Sequence, residues 1–229
     1  MLEDIARLDA GEPLAYVIGW VPFLGLRIRL DERPLIPRPE TEWWTEKLID
    51  DLRTRFSVRP FTLLDLCAGS GAIGLAVLAK LPDARVTFAE LDPALEPLIR
   101  RNAKDNSILE SRFDLCVGEL FDALPAGARY DVIATNPPYV PEGRVLDRSV
   151  TDYEPSLALY AGADGLDLIR RIASGARARL VPGGALWLEC DSEHAEEARE
   201  LLRASGAQAA VCTDQYGRAR YLVSYWSDG

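Results

Sequence analysis

The spacing of hydrophobic positions changes about a quarter of the way along the chain, which predicts two regions. In the first region, helical spacing over Met1–Ala10 is followed by two apolar runs, Ala15–Trp20 and Leu24–Leu30, which predict a β-hairpin. A segment with three prolines within six residues follows, and its prolines argue against a helix or an interior strand. Thr41 is a suitable cap for a predicted helix over Glu42–Phe56.

In the second region, short apolar runs alternate with helical stretches. The predicted strands are Thr62–Cys67, Arg85–Ala89, Phe113–Val117, Tyr130–Thr135, Ala185–Cys190, Ala207–Cys212 and Arg220–Trp226. The predicted helices are Ala72–Leu81, Pro93–Asn106, Gly165–Leu180 and Glu193–Ala204. This alternation predicts an α/β fold with right-handed crossovers and a mostly parallel sheet. The last two strands should pair as a hairpin at one edge, because only a short turn joins them. The segment Val140–Ala163 has no clear period, and we expect a loop that covers the substrate.

Length and composition fit one large domain with a small appendage. The chain has 229 residues, of which 48% are hydrophobic. We therefore divide it into residues 1–40, with a short helix, the hairpin and the proline-rich loop, and residues 41–229, the catalytic domain. The net charge of −10 disfavours binding to duplex nucleic acid, because phosphates would be repelled.

Neither a membrane segment nor a metal site is predicted. No apolar run approaches the length that crosses a bilayer, and no signal peptide begins the chain. The four cysteines form no CxxC pair and suit a reducing compartment, so we expect a cytoplasmic protein. His194 is the only histidine, and a solvated position in the first turn of a helix is its simplest interpretation. The sequence makes no prediction of the oligomeric state.

A glycine-rich turn follows the first predicted strand of the sheet. Gly69, Gly71 and Gly74 form a G-x-G-x-x-G pattern, which lets a ligand approach the backbone at a helix N-terminus. Glu90 ends the next strand, where a carboxylate can accept both hydroxyls of a ribose. This pattern alone fits a dinucleotide, S-adenosylmethionine (SAM) or a purely structural turn. Asp65 favours SAM, because a carboxylate there would repel a pyrophosphate and attract an ammonium group.

A second motif, Asn136-Pro137-Pro138-Tyr139, follows another strand. Two prolines fix the backbone, which holds Asn136 at the rim of the sheet and places Tyr139 close to it. The Asn136 side-chain oxygen and the Pro137 carbonyl can accept both hydrogens of a planar NH₂ group, and Tyr139 can stack on its conjugated plane. These hydrogen bonds and this stacking contact favour the transition state of methyl transfer to an amide or an aromatic amine.

The chain resembles the HemK/PrmC family, the release factor glutamine methyltransferases, in seven segments that occur in the family's order. These segments are Gly11–Tyr16, Leu35–Glu42, Leu64–Ile73, Asn136–Pro141, Tyr153–Leu159, Gly162–Asp167 and Leu180–Gly184. The motif N-P-P-Y is shared with adenine-N6 methyltransferases, whereas I-P-R-P-E-T-E and Y-E-P…D-G-L-D are far more specific. The helical domain that precedes the first segment in relatives is represented here only by Met1–Ala10.

The resemblance implies a Rossmann-like class I SAM-dependent methyltransferase fold with a seven-stranded sheet. It implies methylation of the side-chain amide nitrogen of the glutamine in the Gly-Gly-Gln loop of class 1 release factors. Together, the motifs and the resemblance give the following predicted cofactor-binding residues: Asp65, Cys67, Ala68, Gly69, Ser70, Gly71, Glu90, Glu119, Leu120 and Asn136. The predicted catalytic residues are Asn136, Pro137 and Tyr139, and the predicted substrate-binding residues are Asn136, Pro137, Pro138, Tyr139 and Glu154.

Three sites in the sequence depart from the family pattern, and three other functions are weighed. After the fifth strand, where relatives usually have Glu-Ile-Gly or similar, the chain reads Glu189-Cys190-Asp191. Cys67 stands where the family has the first glycine of its cofactor turn, and Leu120 where many relatives have an aromatic or other residue over the adenine. The alternatives are an adenine-N6 methyltransferase, a dinucleotide oxidoreductase, and a SAM-binding protein without catalysis. The acidic composition weighs against the first, and the Asn-Pro-Pro motif has no evident role in the second.

Overall fold

The computed structural model describes residues 2–57 and 59–226, and its centre is a seven-stranded sheet. The strands of this sheet are β3 (Phe61–Leu66), β4 (Ala84–Glu90), β5 (Phe113–Val117), β6 (Tyr130–Thr135), β7 (Leu180–Glu189), β8 (Ala207–Thr213) and β9 (Ala219–Trp226). Their order is β5-β4-β3-β6-β7-β9-β8. The strands from β5 to β7 in this order are parallel to one another, and β9 pairs antiparallel with both β7 and β8. The predicted α/β class and the edge hairpin are confirmed.

Helices cover both faces of the sheet, so that alternate residues of a strand enter different cores. The helices are α1 (Leu2–Asp9), α2 (Leu14–Ile18), α3 (Pro39–Arg55), α4 (Ala72–Lys80), α5 (Leu95–Asp105), α6 (Arg148–Thr151), α7 (Asp167–Arg179) and α8 (Ala195–Ala204). Leu63 of β3 packs in one core with apolar side chains of α3, α4 and α5. Its neighbour Leu64 packs in the other core with those of α7 and α8. This two-sided burial explains the short, continuous apolar runs of the sequence.

The N-terminal hairpin exists, but its boundaries differ from the prediction. Its strands are β1 (Trp20–Phe23) and β2 (Leu26–Arg29). The side chains of Asn102 in α5 and of Asn106 directly after it accept hydrogen bonds from the backbone N–H groups of Arg29 and Arg27. The predicted strand over residues 15–20 was wrong, because most of it forms α2. The Gly19 N–H closes this turn on the Ala15 carbonyl with a left-handed φ of 84°.

The start of α3 differs from the prediction. The helix begins at Pro39, not after a cap at Thr41. Proline is well suited to the first helical position, because the N–H that it lacks would have no partner within the helix. Thr41 therefore lies inside the first turn, and its hydroxyl is available to another element. The predicted helix over Met1–Ala10 is observed as α1, except that Met1 lies outside the described residues.

The direction in which the chain adds strands to the sheet reverses between the neighbouring strands β3 and β6. From β3 the chain continues outward to β4 and β5, and it then returns to place β6 on the other side of β3. Open α/β sheets bind ligands at such a point, beyond the carboxyl ends of the strands. In the described part of the chain, no helix is both long and apolar enough to cross a membrane.

Candidate active site

A cavity of about 390 Å³, here called the main cavity, opens beyond the carboxyl ends of β3, β4 and β6. Eight of the predicted cofactor-binding residues line it: Cys67, Ala68, Gly69, Ser70, Glu90, Glu119, Leu120 and Asn136. The other two, Asp65 and Gly71, are not part of its wall. The glycine turn and the strand ends that follow it therefore converge on one space.

The turn after β3 has an unusual backbone conformation. Gly69 and Gly71 have φ angles of 55° and 79°, which glycine adopts without steric cost. Cys67 also has a left-handed φ, of 60°, which costs a side-chain-bearing residue about 1 kcal/mol. Burial raises the pKa of the Cys67 thiol to about 12, so the thiol stays protonated. The turn at residue 67 is therefore strained where the family has glycine.

The Glu90 carboxylate is fixed at the wall of the main cavity by two backbone donors. One oxygen accepts the Gly69 N–H at 2.7 Å, and the other accepts the Asp92 N–H at 2.9 Å. Burial raises the Glu90 pKa, and these two donors oppose the rise. Because a carboxylate oxygen has more than one acceptor site, both oxygens can still accept hydroxyl hydrogens of a ligand.

Asp65 lies beneath the turn. Its side chain is fully buried, and one oxygen accepts the Gly74 N–H at 2.8 Å. The other oxygen has no hydrogen-bond partner among the described residues. Burial raises the Asp65 pKa to about 8. Because Asp65 is enclosed, and because a pKa of about 8 leaves it mostly protonated at neutral pH, any interaction with a ligand ammonium group would pass through water and not through direct charge contact.

Acidic groups dominate the charge of the main cavity. Its lining includes Glu90, Asp92, Glu119 and Asp167, and Arg171 is the single cationic residue among the described residues of the wall. Arg171 is paired with Glu119. A pyrophosphate would be repelled by this set, whereas a sulfonium or ammonium group would be attracted. The cavity therefore fits a cationic ligand such as SAM better than a dinucleotide.

A second cavity of about 170 Å³, here called the side cavity, lies next to the main one. Pro137 and Tyr139 line the side cavity, Pro138 lines the main cavity, and Asn136 lines both. The segment over residues 140–163 contributes to the walls of both cavities, for example through Ala158. The Asn-Pro-Pro-Tyr segment therefore lies at the boundary between the two spaces.

Glu154 lines neither cavity, although it was predicted to bind substrate. Its side chain is buried, and its oxygens accept hydrogen bonds from the Ile36 N–H at 3.0 Å and from the Arg38 guanidinium. Glu154 therefore joins the proline-rich loop to the segment over residues 140–163. These contacts indicate a structural role, in which Glu154 holds together two segments that line the cavities.

A chain of hydrogen bonds connects the Asn-Pro-Pro-Tyr segment to two other elements. Asn136 Nδ2 donates to Thr41 Oγ1 at 3.2 Å, and Thr41 Oγ1 donates to Glu189 Oε2 at 2.7 Å. Trp44 Nε1 donates to the same oxygen at 2.6 Å, and the Tyr139 hydroxyl donates to Glu189 Oε1 at 3.0 Å. Burial raises the pKa values of both Glu189 and Tyr139.

Sequence reasoning missed Thr41 and Glu189 as members of the site. Thr41 was interpreted as a helix cap, and Glu189 as part of a strand end and of a segment that departs from the family pattern. One signal was present, because Glu189 is an acidic residue at the carboxyl end of a predicted strand, where open α/β sheets place their ligands.

Comparison with known proteins identifies the family. The family model "Methyltransferase small domain" matches residues 44–152. A release factor glutamine methyltransferase of Deinococcus radiodurans is 39% identical over 224 residues, which cover 96% of this chain and 77% of that protein. The enzyme of the same name from Bordetella pertussis is 42% identical over 202 residues, which cover 88% of this chain and 73% of that protein.

The chain belongs to the release factor glutamine methyltransferase family. The family and the methyltransferase enzyme class predicted from the sequence are thereby confirmed.

Solved structures confirm the predicted fold. A methyltransferase from Pyrococcus furiosus superposes with a TM-score of 0.63 at 18% identity, covering all of both chains. The N-terminal domain of human METTL16, solved in complex with SAH, superposes with a TM-score of 0.62 at 19% identity, covering 90% of this chain and 77% of that one. SAM, predicted as the methyl donor, agrees with this class of enzyme.

Proposed function

We propose that this protein transfers a methyl group from SAM to the side-chain amide nitrogen of a glutamine in a class 1 release factor, in its Gly-Gly-Gln loop. The proposal is supported by relatives named for this reaction and by the site. The observation that carries it is the position of Asn136, whose side chain borders both the main cavity and the side cavity. A donor in one cavity and an acceptor in the other would meet at this residue.

The main cavity would hold the cofactor through residues of three strand ends. The Gly69 turn supplies a backbone that a ligand can approach, and Glu90 supplies a fixed acceptor for ribose hydroxyls. Leu120 and Ile73 add apolar surface to the wall, which suits a purine ring. When bound, SAM supplies a methyl group that is already activated on a sulfonium, so that no strong base is needed first.

The side cavity would hold the glutamine side chain. The Asn136 oxygen and the Pro137 carbonyl would accept the two hydrogens of the amide NH₂ group, and the Tyr139 ring would lie against the amide plane. The lone pair of an amide nitrogen is delocalised, which makes it a poor nucleophile. Acceptors on both hydrogens stabilise the positive charge that develops on nitrogen as the methyl group arrives, so the transition state gains more than the ground state.

We further propose that the protein acts in the cytoplasm and is divided into two regions. Cys67, Cys116, Cys190 and Cys212 form no disulfide, which suits action in the reducing cytoplasm. We place the catalytic domain at residues 41–229 and assign the proline-rich loop before it to the wall of the site. Leu35 and Pro37 support this assignment, because both line the main cavity.

The direct test combines a substrate with mass spectrometry. The protein is incubated with SAM and a class 1 release factor, and the added mass is mapped on peptides. We expect one methyl group on the glutamine of the Gly-Gly-Gln loop and none when that glutamine is replaced by glutamate.

Two controls make a negative result informative. SAM binding is measured by calorimetry on the same preparation, and an adenine-containing oligonucleotide is offered as an alternative acceptor. Bound SAM without transfer to the release factor would contradict the proposal, and transfer to the oligonucleotide would replace it by adenine-N6 methylation.

A further inference from the structure

A buried carboxylate lies behind the Asn-Pro-Pro-Tyr segment. Glu189 is the last residue of β7, and only 1% of its surface is exposed. It accepts hydrogen bonds from Thr41, Trp44 and Tyr139. Glu189 therefore contacts Tyr139 directly and Asn136 through the Thr41 hydroxyl.

The direction of each hydrogen bond in this chain follows for ionised Glu189, the state that its three side-chain donors favour against the effect of burial on its pKa. An indole N–H can only donate, so Glu189 Oε2 must be an acceptor at this contact. Thr41 Oγ1 lies 2.7 Å from the same oxygen and gives it its only hydrogen, because two acceptors at that distance would repel. The Thr41 oxygen then has only lone pairs left for Asn136.

This direction determines the orientation of the Asn136 carboxamide. Only its NH₂ group can face the Thr41 oxygen, which agrees with the contact from Asn136 Nδ2 at 3.2 Å. Its oxygen is left for a ligand. A reversed carboxamide would present NH₂ to the NH₂ group of a substrate, and two donors cannot pair.

We propose that Thr41 and Glu189 are positioning residues for the methyl acceptor, which keep the Asn136 oxygen directed at the substrate NH₂ group and hold Tyr139 in place. The inference rests on the proposed function, because it concerns the orientation of an amide acceptor. Thr41 also lines the main cavity, but its hydroxyl is engaged by Glu189 and Asn136, so the hydroxyl acts through Asn136, and Glu189 acts through Asn136 and Tyr139. Their contribution should therefore appear in the rate of methyl transfer to bound substrate and much less in cofactor binding.

The first test compares three variants in two neighbouring helical turns. Thr41→Val keeps the shape of the side chain and removes the hydroxyl, whereas Thr41→Ser keeps the hydroxyl. Thr45→Val is the matched control, because Thr45 is also buried and its hydroxyl bonds, among the described residues, to the Thr41 carbonyl and not to Glu189 or Asn136. We expect kcat to fall about 100-fold in Thr41→Val, because small misplacements of reacting groups are that costly.

The controls distinguish positioning from general damage to the fold. We expect Thr41→Ser to recover most of the lost kcat, Thr45→Val to resemble the wild type, and the Kd for SAM to change little in all three. A Thr41→Val enzyme with near-normal kcat would overturn the inference. So would a Thr41→Ser enzyme as slow as Thr41→Val.

A second test uses Glu189→Gln to separate orientation from charge. The Gln oxygen must still face Trp44 and Thr41, because the indole needs an acceptor, so the Gln NH₂ group faces Tyr139. The orientation of Asn136 is then preserved although the negative charge is lost. We expect a much smaller loss of kcat than in Thr41→Val. An equal or larger loss in a protein that folds and binds SAM would contradict a positioning role.

A readout without catalysis completes the design. The side-chain NH₂ signals of Asn136 in ¹⁵N-labelled protein are assigned by their absence in Asn136→Asp. Their exchange with water should be slow in the wild type and in Thr41→Ser, and faster in Thr41→Val. If wild-type enzyme methylates no glutamine, the proposed function fails. If it does but the signals and rates are insensitive to Thr41, only this inference fails.

Discussion

The main cavity and the Asn136 region share Asn136 and Thr41 but are built in different ways. The main cavity is shaped by backbone: a glycine turn, a helix start and Glu90, whose carboxylate is fixed by two N–H groups close to it in space. Around Asn136, side chains from α3, from the segment after β6 and from β7 hold one another through hydrogen bonds. A backbone-made site should tolerate most side-chain changes, whereas a side-chain network should be sensitive to the loss of a single atom.

The largest expected effect is that of Asn136→Ala on catalysis. Loss of one aligned acceptor at a transition state lowers kcat about 100- to 1,000-fold. The Kd for SAM should stay within a few-fold of the wild-type value, since the backbone turn is untouched. Methyl transfer assays and calorimetry measure the two quantities. Equal losses of rate and SAM binding would show that Asn136 is chiefly structural and would remove the distinction between the two regions.

The next largest effect should be on cofactor affinity. Glu90→Gln removes a charged acceptor and places an NH₂ group against the Gly69 or Asp92 N–H. We expect the Kd for SAM to rise about 10- to 100-fold, as is typical for the loss of a charged hydrogen bond. The kcat at saturating SAM should change little. Glu96→Gln on the exposed face of α5 is the matched control, and an affinity like that control's would argue against a ribose site at Glu90.

The smallest expected effect is on stability, through the contact between the neighbouring strands β3 and β6. Asp131 at the start of β6 accepts the Thr62 N–H of β3 at 2.8 Å and pairs with Arg59, and these contacts hold the Asp131 pKa below its usual value. We expect Asp131→Asn to lower the free energy of unfolding by about 1 kcal/mol near pH 7, with kcat and Kd unchanged.

The pH dependence of that loss follows from the direction of the pKa shift. A carboxyl with a lowered pKa stabilises the fold above its unfolded pKa, and this stabilisation is lost as the pH falls through the folded value. Urea unfolding of wild type and Asp131→Asn should therefore differ at pH 7, and the difference should shrink as the pH falls below the usual Asp pKa of about 4. A difference that grows in acid would contradict this account of the strand pair.

The backbone-made region could be predicted from the sequence because its determinants are local. The glycines, the strand that precedes them and Glu90 lie within a short stretch, and each has a distinctive residue type. The seven-stranded sheet was predictable for the same reason, since buried parallel strands are continuous apolar runs. The exception was the run over residues 15–20, where five residues form a helix between Pro13 and Gly19. Short apolar runs do not distinguish a strand from a helical turn.

The side-chain network could not be predicted, because its members are far apart in the sequence. Thr41 and Glu189 are separated by 148 positions and meet only when α3 packs beside the ends of β6 and β7. Thr41 looked like a cap because threonine often caps helices, and Pro39 instead begins the helix. Glu154 also makes contacts that its sequence position did not indicate, since it joins the proline-rich loop to the segment over residues 140–163, and its role in substrate binding stays a prediction.

The most direct test is a crystal structure with S-adenosylhomocysteine and a Gly-Gly-Gln peptide. We expect S-adenosylhomocysteine in the main cavity and the glutamine side chain in the side cavity. The amide nitrogen of that glutamine should lie about 3 Å from the Asn136 oxygen. A glutamine bound elsewhere, or an Asn136 carboxamide that turns its NH₂ group toward the peptide, would contradict this account.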